Sequence, residues 1–224
     1  MKIDLEVSEP VNFSSGDHQH LVHTAAIKDF IMKVFVVLSI QLFITAVIIG
    51  IFVFCEPVRK WVIAKPWFLY ALLDIRRQVP ANYILLAFFT ILEGLLLGSL
   101  SVFYRAEEIL WAAGATTMVT LVLTLFALQT KWDFTLLNGV MFVFTSVLLI
   151  YGIIALVIRS YWLHLVYSAL GTLLFSIYLV MDVQMMVGGR YHYEINPEEY
   201  IFAALNIYVD IISLFIFILD LIGR

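Results

Sequence analysis

The sequence predicts an all-α, polytopic membrane bundle. Three observations carry this. The 224 residues are 63% hydrophobic and only 13% charged, against about 45–50% apolar and about 25% charged for soluble domains. The hydrophobic residues gather into six long runs. Short polar connectors separate most of these runs.

A membrane-crossing helix needs about 20 mainly apolar residues, because the hydrocarbon core is about 30 Å thick and a helix rises about 1.5 Å per residue. The runs that meet or approach this are Val34–Phe54, Tyr83–Tyr104, Ile109–Leu128, Thr135–Ile158, Leu165–Val187 and Ile201–Leu219. The connectors Arg105–Glu108, Gln129–Phe134, Arg159–His164 and Gly188–Tyr200 are short. They imply antiparallel helices that pack as sequence neighbours. Between the first two runs, Pro66–Leu73 is apolar for eight residues. Eight helical residues cover only about 12 Å, so this piece is read as a remnant of a further segment. Trp61, Trp67 and Tyr70 suit it to the headgroup level.

Residues 1–29 read as a polar, flexible tail and 30–224 as the membrane domain. No signal peptide opens the chain, since 1–26 is polar and acidic. Asp17, His18, His20 and His23 are metal-competent types; a solvated tail is the favoured reading, and no metal site is expected. Cys55 is the single cysteine, so no internal disulfide forms, and it reads as a small interface residue. The net charge of −4 and the lack of a basic stripe argue against nucleic acid. With six spans, lysines and arginines split six against seven across the membrane. If the remnant crosses and the last segment dips and returns, they split eight against five, with the N-terminus cytosolic.

Acids inside hydrophobic runs are the strongest functional signal, since Asp at a helix centre costs about 2.5–3.5 kcal/mol on insertion scales. Glu93, Asp182 and Asp210 are such acids. Asn206, Asp210, Ser213 and Phe217 share one helical face, and Gly171, Phe175, Tyr178 and Asp182 share another. These two helices are antiparallel neighbours, and their aspartates differ in depth by about 6 Å if both stand upright. Two carboxylates held together share one proton and titrate as a pair. An arginine nearby would compete with that proton, and Arg76 and Arg77 are the candidates for such a latch. Glu93, Glu198 and Glu199 can attract cations, although Asn196-Pro197-Glu198-Glu199 also reads as a helix start. Gly94 and Gly98, four apart, permit close helix approach.

The stretch from Ile195 to Ile212 resembles the C-terminal signature of the transmembrane Bax inhibitor motif family, and of its lifeguard branch most nearly. Phe54–Val58, Gln129–Thr135 and 182–189 resemble the same branch, so the likeness covers about residues 30–222. The resemblance implies a seven-helix fold with the last hydrophobic segment at its centre. It implies calcium leak across endoplasmic reticulum, Golgi or related membranes, and suppression of apoptosis. It also implies that Asp182 and Asp210 form a pH sensor, with a latch arginine at Arg76 or Arg77. Relative to the family, half or more of the second helix is missing between Trp67 and Arg76.

Calcium is then the permeant ion, no cofactor is expected, and the chain is not an enzyme. An intramembrane aspartyl protease is disfavoured, because Ile207-Tyr208-Val209 precedes Asp210 instead of Gly-x-Gly. The alternative is a non-conducting regulator that binds apoptosis-regulating or receptor membrane proteins.

Overall fold

The computed structural model describes residues 13–65, 83–158, 160–188 and 200–223. The described residues are helical apart from short connectors. Helix α1 is Phe13–Phe54, α2 Glu56–Ala64, α3 Tyr83–Ser101, α4 Ala106–Gln129, α5 Asn138–Ile158, α6 Tyr161–Val187 and α7 Tyr200–Ile222. A 3-10 turn, Phe134–Leu137, precedes α5.

Among the described residues, five stretches are long and apolar enough to cross a membrane: 28–54 of α1, α4, the 3-10 turn with α5, α6 and α7. The sixth expected run appears as α3, a helix of 19 residues. Large apolar side chains such as Phe43, Trp111, Phe142 and Val157 face outward from these helices. Outward apolar faces are what a hydrocarbon solvent requires, since backbone polar groups are already paired within each helix. Helix α1 begins at Phe13, and its stretch 28–54 is the part apolar enough to cross.

The last helix is the centre of the bundle. In α7, 56% of the most apolar window is buried, against 17–28% in the other crossing helices. It packs against α6, α4, α1 and α3. The main core cluster is built around Ile207, Tyr208, Leu214, Phe215 and Leu219 of α7.

Helix direction follows from which residues meet. Gln41 bonds Thr90, Ile48 covers Gly94 and Phe52 covers Gly98. Both numbers rise together, so α1 and α3 run parallel. Lys65 and Tyr83 therefore stand at opposite ends of the bundle. Gly94 and Gly98 have the expected role, because a Cβ at Gly94 would meet Ile48 Cδ1 at 2.7 Å and one at Gly98 would meet Phe52 Cγ at 2.7 Å.

Two expectations are corrected. Sequence neighbours are not always the main packing partners: α4 sets its inner face mainly against α6 and α7 rather than α3 or α5. Short connectors fix where helix ends lie, but not which faces meet. The Ala112, Ala115 and Thr116 face of α4 is small enough to approach the central helix. The last segment also does not dip and return. Tyr200 lies beside Lys33, 6.0 Å from its ammonium, and Gly223 lies against Tyr104 at the far end. Helix α7 thus runs from end to end.

Helix α2 sits across the end reached by α1. Val62 packs with Phe52 and Val102, and Arg59 donates to the Val102 carbonyl at 3.4 Å. Trp61 is exposed with Lys65 over its ring at 5.6 Å, a pairing suited to the headgroup level. The remnant Pro66–Leu73 lies outside the described residues.

Candidate functional site: a carboxyl pair in the α6–α7 seam

The two faces expected from spacing meet one another. The Phe175 and Phe217 rings stack at 5.6 Å, and Phe217 lies directly over Gly171. A side chain at 171 would occupy the space of that ring, so the glycine lets α6 and α7 approach. Asp182 and Asp210 lie at the other end of the same seam, with their side chains close enough to interact.

Both carboxyls are buried, Asp182 at 7% and Asp210 at 5% exposure. Among the described residues no N–H or O–H donor reaches Oδ2 of Asp210. Two carboxylates this close in a low-dielectric interior repel one another unless something neutralises them.

The surroundings hold the pair rigidly. Tyr208, fully buried two residues before Asp210, exchanges a 2.7 Å hydrogen bond with Thr45 of α1. Its ring meets Phe89 of α3 edge-on at 6.4 Å. Gln41 donates to Thr90 at 3.1 Å, which adds a second polar tie between α1 and α3. Gln184, two residues after Asp182, is fully buried. Its Nε2 donates to the Trp132 carbonyl at 2.9 Å, and its Oε1 accepts from Phe134 N–H at 2.8 Å. The α4–α5 connector is therefore clamped to the end of α6 that carries Asp182. Asp133 reinforces it by accepting from Thr135 N–H at 3.0 Å.

At the opposite end of the seam, Asp220 accepts a short hydrogen bond from Ser168 of α6 and one of 3.3 Å from Tyr104. One carboxylate so joins α6, α7 and the end of α3.

The other expected residues are placed as follows. Glu93 is buried on α3, one turn from Phe89. Arg76, Arg77, Glu198 and Glu199 lie outside the described residues. No cluster of three or more metal-ligating side chains occurs among the described residues. Sequence reasoning passed over Gln184, Tyr208, Gln41 and Asp220. Gln41 and Gln184 were visible as amides inside apolar runs, and Asp220 falls one residue past the expected end of the last segment.

Fold and site define a multi-pass helical membrane protein with a buried carboxyl pair between its central helix and the helix before it. A family model described as "Inhibitor of apoptosis-promoting Bax1" matches residues 27–224. The chain is 38% identical to human Protein lifeguard 3 over 97% of its own length and 74% of the relative's. It is 39% identical to mouse Protein lifeguard 3, over 87% and 68%. It is 36% identical to Bax inhibitor 1 of Schizosaccharomyces pombe (strain 972 / ATCC 24843), over 87% and 76%. The protein belongs to the Bax inhibitor family. The alignment with the human relative runs over 235 positions and takes in 97% of this chain's 224 residues, about 217, so about 18 positions of the relative have no counterpart here.

Proposed function

We propose that this protein is a non-enzymatic regulator of apoptosis in endoplasmic reticulum, Golgi or related membranes, and that it acts by leaking calcium under proton control. The contact between Asp182 and Asp210 carries the reading. When the pair shares a proton, the α6–α7 seam is neutral and tightly packed. When the proton leaves, like charges press the seam apart and attract a cation. Proton and calcium thus compete for the same oxygens.

The membrane domain is taken as 30–224, preceded by the segment 1–29. Arg76 or Arg77 is the proposed latch that pairs with the ionised carboxyls. Glu93, Glu198 and Glu199 are proposed to draw cations toward the path.

The test is calcium release from liposomes carrying the purified chain, with Asp210→Asn beside it, between pH 6 and pH 8. Release that changes with pH in the parent and not in the variant supports the reading. Equal pH profiles in the two overturn it. Positions missing relative to the family favour one other account, in which the folded chain conducts nothing and binds apoptosis-regulating or receptor membrane proteins. Absent flux from folded protein would select it.

A further inference from the structure

A crevice of about 370 Å³ lies between α1 and α4, which are not packed against one another. Its floor is α7, through Ile211, Ile212 and Phe215. Its walls include Leu42 and Ala46 of α1 and Leu121 of α4. The flanking faces of both helices are apolar and exposed, with Phe43, Val47, Met118 and Val122 pointing outward. The crevice therefore opens sideways, into the hydrocarbon.

Five hydroxyl side chains line it. Three have partners: Ser39 donates to the Phe35 carbonyl, Thr117 to the Ala113 carbonyl, and Thr45 bonds the Gln41 carbonyl and Tyr208. The other two do not. Oγ1 of Thr116 and of Thr120 is buried with no hydrogen-bond partner among the described residues, and Thr116 is only 4% exposed. They stand one turn apart, about 6 Å along α4, and both residues line the crevice. A buried hydroxyl without a partner is costly where no water can reach it. An apolar cavity of a few hundred Å³ with a few convergent polar groups is the usual form of a ligand site.

We infer that this crevice is a lateral binding site for a neutral lipid whose polar group is a hydroxyl or carbonyl oxygen, held by Thr116 and Thr120. No charged side chain lines the crevice, and a phosphate headgroup drawn to that depth would be unpaired. This favours a sterol or diacylglycerol over a phospholipid. Because the floor follows Asp210 directly in α7, an occupant would bridge α1 and α4 and bear on the central helix.

The test uses the full chain in phosphatidylcholine nanodiscs. Diazirine-bearing sterol, diazirine-bearing diacylglycerol and diazirine-bearing phosphatidylcholine are photolysed separately, and adducts are mapped by mass spectrometry. The site predicts saturable labelling of residues 35–49 and 113–121 by a neutral probe, in excess of the phosphatidylcholine probe. The neutral probe that labels identifies the source. Thr116→Val with Thr120→Val, which keeps side-chain shape, should lower that labelling about fivefold or more, the factor of one hydrogen bond. Serine at both positions should retain it. Ala46→Leu, which fills the cavity, should lower it independently. Equal labelling by all three probes, or unchanged labelling in the valine pair, overturns the proposal.

Discussion

Replacing Gln184 with Leu removes two hydrogen bonds and nothing else of comparable size. The side chain is fully buried, and its amide spans the Trp132 carbonyl and Phe134 N–H at 2.9 and 2.8 Å. Each ordinary hydrogen bond contributes about 0.5–1.5 kcal/mol net, and a buried group left unpaired costs about 1–3 kcal/mol. Trp132 is 74% exposed, so water can take over its carbonyl. Phe134 is half-buried, so its N–H is hydrated less easily. The expected loss is about 2–3 kcal/mol. Equilibrium unfolding of the purified chain in mixed detergent micelles, with increasing sodium dodecyl sulfate, measures it. Gln184→Glu is the partner variant: ionised, it would set an unpaired charge against the Trp132 carbonyl in a fully buried site, so it should lose more than Leu at neutral pH and less at low pH, where the protonated acid can donate to Trp132. A loss below about 0.5 kcal/mol for Leu would refute the view that this amide anchors the α4–α5 connector to the aspartate helix.

Gly98→Val places side-chain atoms into the Phe52 ring and should cost about 1–3 kcal/mol by overpacking, read by the same unfolding experiment. Gly50→Val, whose added Cβ meets nothing within 4 Å, should be nearly neutral there. Tyr208→Phe removes the hydrogen bond to Thr45 and should cost about 1 kcal/mol or slightly more, with Thr45→Val beside it giving less than the sum, because both remove one contact. Asp220→Ala should loosen the end of the seam held by Ser168 and Tyr104 and lower stability by about 1–3 kcal/mol in the same unfolding experiment, and an unchanged stability would count against Asp220 as the tie.

The carboxyl pair was legible because it depends on two simple quantities. Steps of three and four placed Asp182 and Asp210 each on a face with aromatic and small residues, and a connector between the last two helices made them antiparallel neighbours. The contact of Gly171 with Phe217 shows both faces turned toward each other. The centrality of α7 was legible only through the family signature. Its apolar residues occur all round, which marks a buried helix as readily as a lipid-facing one. The packing of α4 was not legible. Its outer face carries Trp111, Met118 and Leu125, and its inner face Ala112, Thr116 and Val119. In hydrocarbon, both faces are apolar, so hydropathy does not separate lipid from protein, and small-residue packing decides. Gln184 was hidden for another reason. Its partners are backbone atoms 50 and 52 residues away, and backbone partners leave no trace in side-chain spacing. The parallel run of α1 and α3 was likewise invisible from hydropathy, which reports length and not direction.

The central claim is that Asp182 and Asp210 act as one titrating unit in the calcium path. Flux from liposomes should therefore be measured between pH 6 and pH 8 for the parent, Asp182→Asn, Asp210→Asn and the double variant. A shared proton needs both carboxyls, so each single variant should abolish the pH dependence as fully as the double. Single variants that each retain part of it, with effects that add in the double, would contradict the account.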